Sequence, residues 1–260
     1  QVRTRKVLST PKDYAAAMVS GIAQMCADYG ISTASIEQVV HGTTVVTNAC
    51  IEKTGARVGL ITTQGFRDIL EIGRGRLPVV LDLTWTKPPP LVPRHLRAEV
   101  EERMDGRGEV ITPLSMSSVH CAVDGLLAQE VESIAICLVN APANPAHENR
   151  IAEIVRERSK DVALSVSSQV LPMFSEYERS SVTVLNGYVM PLVTNYLQSL
   201  QGRLASIGIT APLYIMQSNG GMTTPANSMQ RPIEIIECGP AAGVVGAAAL
   251  GELHGTSDLV

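Results

Sequence analysis

At 260 residues the chain can bury a substantial hydrophobic core, and its 45% hydrophobic and 18% charged residues are typical of a globular protein. The formal net charge of −4 and the 3% aromatic content provide neither a basic nor a stacking surface for nucleic acid or acidic membranes. Five cysteines without C-x-x-C spacing, and the lack of a signal peptide or long apolar run in the sequence, predict a soluble cytoplasmic protein with free thiols.

The N-terminal quarter predicts alternating strands and helices. A helix is expected to begin at Thr10 as N-cap, with Pro11 in its first position, and to end at Gly30. Apolar periodicity predicts the other elements. These are strands at 3–9, 36–41 and 57–62 and helices at 45–53 and 66–72.

The middle of the chain departs from this alternation. Residues 73–95 are rich in proline and are expected to be extended, because proline cannot enter a helix interior or a central strand. Residues 96–104 and 109–112 flank a turn at 105–108 and predict a hairpin.

The alternation then resumes and indicates an α/β fold with layers around a mixed sheet. The expected helices are 115–129, one capped by Asn144, 178–206 with an interruption at Pro191, and 241–250. The expected strands are 133–139, 162–167, 213–217, 233–236 and one that begins at 258.

The clearest candidate site lies where the strand 36–41 meets the next helix. His41, Gly42, Thr43 and Thr44 form a small, hydroxyl-bearing turn that can direct N–H groups and hydroxyls at an oxyanion or a polarised carbonyl. Asn48 follows Thr44 by one helical turn and shares its face. A structural histidine and simple capping threonines are the alternative interpretations.

Two further segments are weaker candidates. The turn with Ser218, Asn219, Gly220 and Gly221 could admit a ligand close to the backbone, or could be only a tight turn. Glu178 begins the long helix, where an acidic residue also simply complements the helix dipole. No histidine or cysteine pair has the spacing of a zinc site, so no metal ligands are predicted.

Together, these motifs resemble the A-type subunit of the hydantoinase/oxoprolinase family, which is related to acetone and acetophenone carboxylase subunits. The resemblance extends in order through nearly the whole chain. The motifs that carry it are Lys6-Val-Leu-Ser-Thr-Pro11, His41-Gly-Thr-Thr44 with Thr47-Asn48, Ile61-Thr-Thr-Gln-Gly-Phe-Arg-Asp-Ile-Leu-Glu-Ile-Gly-Arg74, Asn144-Pro-Ala-His-Glu148, Ser175-Glu-Tyr-Glu-Arg179, Met216-Gln-Ser-Asn-Gly-Gly221 and Gly239-Pro-Ala-Ala-Gly243.

The resemblance implies an actin-like ATPase (ribonuclease H-like) fold and an ATP-dependent hydrolase of cyclic amides. In such an enzyme, phosphorylation of an amide oxygen with ATP and Mg²⁺ precedes opening of a hydantoin or oxoproline ring. It also implies an N-terminal family region at 1–178, the start of the core domain at 179–260, a B-type partner subunit and an oligomeric assembly.

The resemblance also implies roles for individual residues. His41, Asn48, Glu178 and Arg179 are expected to be catalytic, and Gly42, Thr43, Thr44, Ser218, Asn219, Gly220 and Gly221 to contact substrate or phosphate.

The sequence departs from the family pattern in two ways. Asp-x-Gly-Gly-Thr phosphate loops are absent from it, so an inactive fragment without normal ATP binding is expected. Cys238 stands before Gly239-Pro240, where the family commonly has serine.

Three other functions remain compatible with the sequence. They are an ATP-dependent ketone carboxylase subunit, a small-molecule kinase of the same superfamily, and a non-catalytic actin-like module that only assembles with a partner.

Overall fold

The computed structural model describes residues 2–8, 10, 13–76, 82 and 84–256. Its strands are β1 (Val39–His41), β2 (Val58–Thr63), β3 (Arg97–Val100), β4 (Arg103–Met104), β5 (Val110–Thr112), β6 (Ser133–Cys137), β7 (Ala163–Val166), β8 (Leu213–Met216) and β9 (Met222–Thr223). Its α-helices are α1 (Tyr14–Asp28), α2 (Val45–Glu52), α3 (Ile69–Ile72), α4 (Met116–Leu127), α5 (Ala146–Arg158), α6 (Ser167–Val170), α7 (Glu176–Ser206), α8 (Pro225–Gln230) and α9 (Cys238–His254).

The chain forms two compact units. One contains residues 1–53 and 192–260, and the other contains residues 54–191. In the first, β1 pairs in parallel with β8, and β8 pairs antiparallel with β9, which makes the sheet mixed. Leu197, Leu200 and Ile215 are among its buried residues.

The second unit is built on a parallel four-stranded sheet. Its strand order is β3-β2-β6-β7, and every residue of β2 and of β6 is buried. Strands covered on both faces are typical of parallel sheets with helices on either side. The apolar faces of α4 and α5 carry the buried residues Val119, Val123, Ile151 and Val155.

The α/β alternation is confirmed, but two predictions near the N-terminus are wrong. Residues 2–8 form no strand and are exposed, because a β-strand needs a neighbour to pair its backbone, and none of the described strands pairs with them. Helix α1 is capped by Asp13, whose carboxylate accepts the N–H of Ala16 at 3.2 Å, and not by Thr10. Ser9 and Pro11 lie outside the described residues, as does the strand expected from 258.

The expected hairpin is half correct. Strands β4 and β5 pair antiparallel around the turn at 105–108, as predicted. Residues Arg97–Val100, however, form β3, which pairs in parallel with β2. Alternating side chains indicate a strand but do not select its partner. The prediction therefore joined β3 and β4 into a single strand.

Two predictions in the C-terminal half are also corrected. Helix α7 continues through Pro191 without interruption, although the boundary between the two units falls after this residue. The expected strand at 233–236 is a 3₁₀ helix, Pro232–Ile235. Four residues are too few to distinguish a period of two from a period of three, and Pro232 favours a helical first position.

All five cysteines are free, as the sequence predicts. None of the helices in the described part of the chain is long and apolar enough to cross a membrane.

Candidate active site

A hollow of about 260 Å³ lies in the first unit, where β1 ends and α2 begins. All five predicted site residues of this segment contribute to it. Its lining consists of Tyr14, Met18, His41, Gly42, Thr43, Thr44, Val45, Asn48, Tyr196 and Gly239. The described lining contains no aspartate, glutamate, lysine or arginine, so the hollow presents uncharged hydrogen-bonding groups.

His41 is the last residue of β1, and the parallel pairing of β1 with β8 sets its position. Its Nε2 lies 2.6 Å from the hydroxyl oxygen of Tyr196. Burial lowers the pKa of His41 to about 4, because a charged imidazolium would lose its hydration. His41 is therefore an uncharged hydrogen-bonding group at neutral pH, and cannot act there as a cation.

Tyr196 lies in α7, far from His41 in the sequence. Burial raises the pKa of its hydroxyl, while a hydrogen bond with the side chain of Thr43 has the opposite effect. The phenol therefore keeps its proton at neutral pH. Tyr196 was missed by sequence reasoning, because a tyrosine within a long helix carries no motif and its contact with His41 is purely tertiary.

The buried thiol of Cys238 holds the backbone of Thr43. The thiol donates to the carbonyl oxygen of Thr43 at 2.9 Å, and its sulfur accepts the N–H of Thr43 at 3.2 Å. The hydroxyl of Thr47 donates to the carbonyl oxygen of Ile236 next to this point. The first turn of α9 thus fixes the segment that carries His41.

Thr44 and Asn48 lie on the same face of α2, as predicted. Their side chains are 3.5 Å apart, from Asn48 Nδ2 to Thr44 Oγ1. Thr44 is the N-cap residue by position, but its side chain makes no capping bond. Thr43 Oγ1 instead accepts the N–H of Val45 at 3.3 Å. The Thr44 oxygen accepts from Asn48, and the proton of its hydroxyl is available to a ligand.

The turn with Ser218, Asn219, Gly220 and Gly221 connects β8 to β9 and does not belong to the described lining of the hollow. Ser218 donates its N–H and its hydroxyl to the carbonyl oxygen of Glu234, both at 2.8 Å, and its hydroxyl accepts the N–H of Glu237 at 3.1 Å. Gly220 has a positive φ of 83°, which suits glycine. The turn contacts the residue just before Cys238 and Gly239.

Glu178 and Arg179 lie in the other unit and make their contacts there. Glu178 forms a 2.6 Å ion pair with Arg74, and hydrogen bonds with Ser175 and Arg74 lower its pKa to about 2.

Arg179 is completely buried. It donates to the carbonyl oxygen of Leu138 at 2.7 Å and to Ser167 Oγ at 2.6 Å, with Glu148 3.7 Å away. These bonds hold β6, α5 and α6 together, and the catalytic role that the resemblance implies for Arg179 stays a prediction.

The fold is α/β with a mixed sheet, which is compatible with the actin-like ATPase type. The Hydantoinase/oxoprolinase N-terminal region matches residues 1–159, and the Hydantoinase/oxoprolinase family matches residues 179–260. The chain therefore belongs to the hydantoinase/oxoprolinase family. The domain boundary expected at residue 178 stays a prediction.

Similar proteins span the whole chain. The alpha subunit of caprolactamase from Pseudomonas jessenii is 34% identical over 100% of this chain and 38% of that protein. The crystal structure of ATP-dependent caprolactamase from the same organism has a TM-score of 0.86 at 35% identity, over 96% of this chain and 38% of that one.

A nucleotide-free structure of acetone carboxylase has a TM-score of 0.85 at 28% identity, over 95% of this chain and 37% of that one. The chain thus spans well under half the length of the relatives that it matches.

Proposed function

We propose that this chain is part of an ATP-dependent hydrolase that opens cyclic amides. The match to caprolactamase along nearly the whole length of this chain, at a higher identity than to acetone carboxylase, carries this proposal. In the proposed reaction the amide oxygen is phosphorylated, which makes the amide carbon a better electrophile before water opens the ring.

The hollow is proposed to bind the cyclic amide. Its walls combine the apolar side chains of Met18 and Val45 with the hydroxyl of Thr44 and the amide of Asn48. An uncharged lactam has an apolar ring and one polar edge, so it complements such a surface. In this assignment His41, Thr43, Thr44 and Asn48 contact the polar edge, and Gly42 leaves room for the ring.

ATP fits this hollow less well than a cyclic amide does. A triphosphate is bound by cations and by free backbone N–H groups, whereas the described lining has no lysine or arginine, and the N–H of Thr43 is bonded to Cys238. When bound, ATP would supply the phosphoryl group, and we assign its binding to no residue described here. The turn at Ser218 to Gly221 and the pair Glu178 and Arg179 keep their predicted roles without an assigned ligand.

Mg²⁺, which would accompany ATP, has no assigned binding residues either. The described residues contain no group of three or more histidine, cysteine, aspartate or glutamate side chains that could hold a metal ion. A B-type partner subunit in a cytoplasmic hetero-oligomer is proposed because the caprolactamase relative is itself a subunit.

The test uses the full-length protein purified together with its partner. A panel of cyclic amides (ε-caprolactam, 5-oxoproline and hydantoin) and of ketones with bicarbonate is supplied with Mg-ATP. The expected result is release of phosphate that depends on a cyclic amide and yields an equal amount of ring-opened product. Consumption of a ketone and bicarbonate would instead support the carboxylase. A stable phosphoester would support the kinase, and no turnover at all would support the interaction module.

Variants of the same protein test the assigned site. His41→Ala and Asn48→Ala are each expected to lower kcat/KM about 100-fold, the effect of losing one positioned hydrogen-bond donor to a reacting oxygen. The matched control is His254→Ala, which removes an exposed imidazole at the end of α9. Unchanged kinetics in both His41→Ala and Asn48→Ala would remove the hollow from the active site.

A further inference from the structure

The Tyr196 hydroxyl lies in the hollow within hydrogen-bonding distance of the His41 ring. Within the described part of the chain it is the only hydrogen-bond partner of the His41 ring, at 2.6 Å from Nε2. The two rings are 5.8 Å apart between centroids and tilted by 45°. Which nitrogen of a neutral histidine carries the proton depends on the bond that the other nitrogen makes. Tyr196 is therefore in a position to select the tautomer of His41.

The direction of this hydrogen bond follows from the acidities of the two groups. A phenol gives up its proton far more readily than the N–H of a neutral imidazole, and an unprotonated imidazole nitrogen is a strong acceptor. At 2.6 Å from Nε2, the Tyr196 hydroxyl is therefore the donor and His41 Nε2 is the acceptor.

We propose that Tyr196 is a positioning residue that holds His41 as the Nδ1–H tautomer, so that this N–H donates to the carbonyl oxygen of an uncharged substrate. The proposal rests on the proposed function for the identity of the substrate. Since Nε2 accepts from Tyr196, the single proton of the neutral ring must reside on Nδ1.

The anchoring of Thr43 supports this arrangement. Cys238 is fully buried and bonds both the N–H and the carbonyl oxygen of Thr43, so the turn that directly follows His41 is fixed in place. A donor held in advance costs no reorganisation when charge develops on the substrate oxygen. An uncharged imidazole N–H among uncharged neighbours is matched to a carbonyl oxygen better than to a phosphate, which would require cations.

The first experiment reads the tautomer directly and needs no substrate. Magic-angle-spinning NMR of the full-length protein with ¹⁵N-labelled histidine identifies His41 by the signals that vanish in His41→Gln. We expect a protonated Nδ1 and an unprotonated Nε2 at neutral pH, and a mixture of tautomers in Tyr196→Phe. Protonation of Nε2 in the unaltered protein would overturn the proposal.

The second experiment is a double-mutant cycle on kcat/KM with whichever cyclic amide is turned over. Tyr196→Phe is expected to lower kcat/KM about tenfold, as the loss of one neutral hydrogen bond does. Since Tyr196 acts through His41, the double variant should be no worse than His41→Ala alone. Multiplied effects would show an independent role for Tyr196 and contradict the proposal. Tyr214→Phe, in β8 of the same unit, is the matched control and should leave kcat/KM unchanged.

The pH profile separates positioning from a general effect on the fold. Donation from Tyr196 adds to burial in favouring the neutral ring, so Tyr196→Phe should move the acidic limb of kcat/KM upward from near the His41 pKa of about 4, while the retained burial keeps it below 6.5. An unmoved limb in Tyr196→Phe would contradict the proposal. If no cyclic amide is turned over, the proposed function fails, while the NMR measurement still decides the tautomer.

Discussion

The two units of the molecule use polar residues in opposite ways. In the second unit, Arg179 and Glu148 are charged groups at 0% exposure, enclosed by backbone and hydroxyl partners. In the first unit, the hollow is open and uncharged, and its groups keep capacity for a further bond. A buried charge must be paired and hydrogen-bonded to be retained, as Arg179 is through both Nη atoms although, among the described residues, not through Nε, so it serves structure. A half-buried neutral group can instead serve a ligand.

The largest expected effect tests the enclosed charges. Glu148 accepts the N–H of Leu138 and of Ser168, both at 2.9 Å, and the hydroxyl of Ser167 at 2.5 Å. Glu148→Ala should lower the free energy of unfolding by about 3 kcal/mol, because Arg179 loses its fully buried counterion and keeps only the partly exposed Glu176 at 3.5 Å, and because the N–H groups that Glu148 accepts lose their acceptor. Urea denaturation measures this.

The control lies on the same helix. Glu153 forms an exposed pair with Arg150, so Glu153→Ala should lower the free energy of unfolding far less than Glu148→Ala does. Equal costs for the two variants would mean that the enclosed cluster contributes nothing to stability.

The packing of the second unit gives the next effect. A Cβ at Gly55 would overlap the ring of Tyr188, so Gly55→Ala should lower the free energy of unfolding by about 2–3 kcal/mol. Gly125, in α4, has no atom within 4 Å of such a Cβ, and Gly125→Ala should be stabilising by about 0.5–1 kcal/mol. Thermal and urea unfolding of both variants would show opposite signs. Two changes of the same sign would disprove this distinction.

The burial of His41 in the hollow should make the stability of the protein depend on pH. The unfolded chain protonates His41 near 6.5, but the folded protein does so only at about 4, so lowering the pH between these values favours unfolding. Relative to His41→Gln, the unaltered protein should lose about 2 kcal/mol of unfolding free energy over this range. This figure is smaller than the full pKa difference implies, because solvent near the ring screens part of the effect. Denaturation at several pH values measures the difference. Parallel curves would show that the ring is not desolvated.

The smallest effect concerns α1, which provides Tyr14 and Met18 to the hollow. Asp13→Ala removes the N-cap acceptor for Ala16 and the ion pair with Arg203, and should lower the free energy of unfolding by about 1 kcal/mol. Asp13→Asn keeps the cap and should cost much less. If Asn and Ala are equally destabilising, the ion pair and not the cap holds this end of the helix.

Much of the candidate site could be predicted from the sequence because it is local. An apolar run that ends in His41, Gly42 and Thr43 before a helical pattern specifies a strand, a turn and a helix in one short segment. Thr44 and Asn48 share a face because they are one helical turn apart. The family could likewise be recognised from ordered local motifs.

Where local patterns allowed two answers, the sequence-based predictions were wrong. The apolar residues of 232–235 fit a strand as well as the 3₁₀ helix that they form, and Leu96–Met104 did not reveal that β3 pairs with β2. For β3, backbone pairing with a distant segment decided the outcome, and such pairing leaves little trace in periodicity. For 232–235, Pro232 at the first position favoured the 3₁₀ helix.

By itself, the sequence determined the α/β alternation, the free thiols, the family and the segment from His41 to Asn48. Only the tertiary structure decided which residues complete that segment. Tyr196 and Cys238 reach it from α7 and α9, across 155 and 195 residues of sequence. Their bonds depend on how the helices pack, and an individual hydroxyl or thiol carries no periodic signal. The enclosure of Arg179 is of the same kind, since burial is a property of the assembled core.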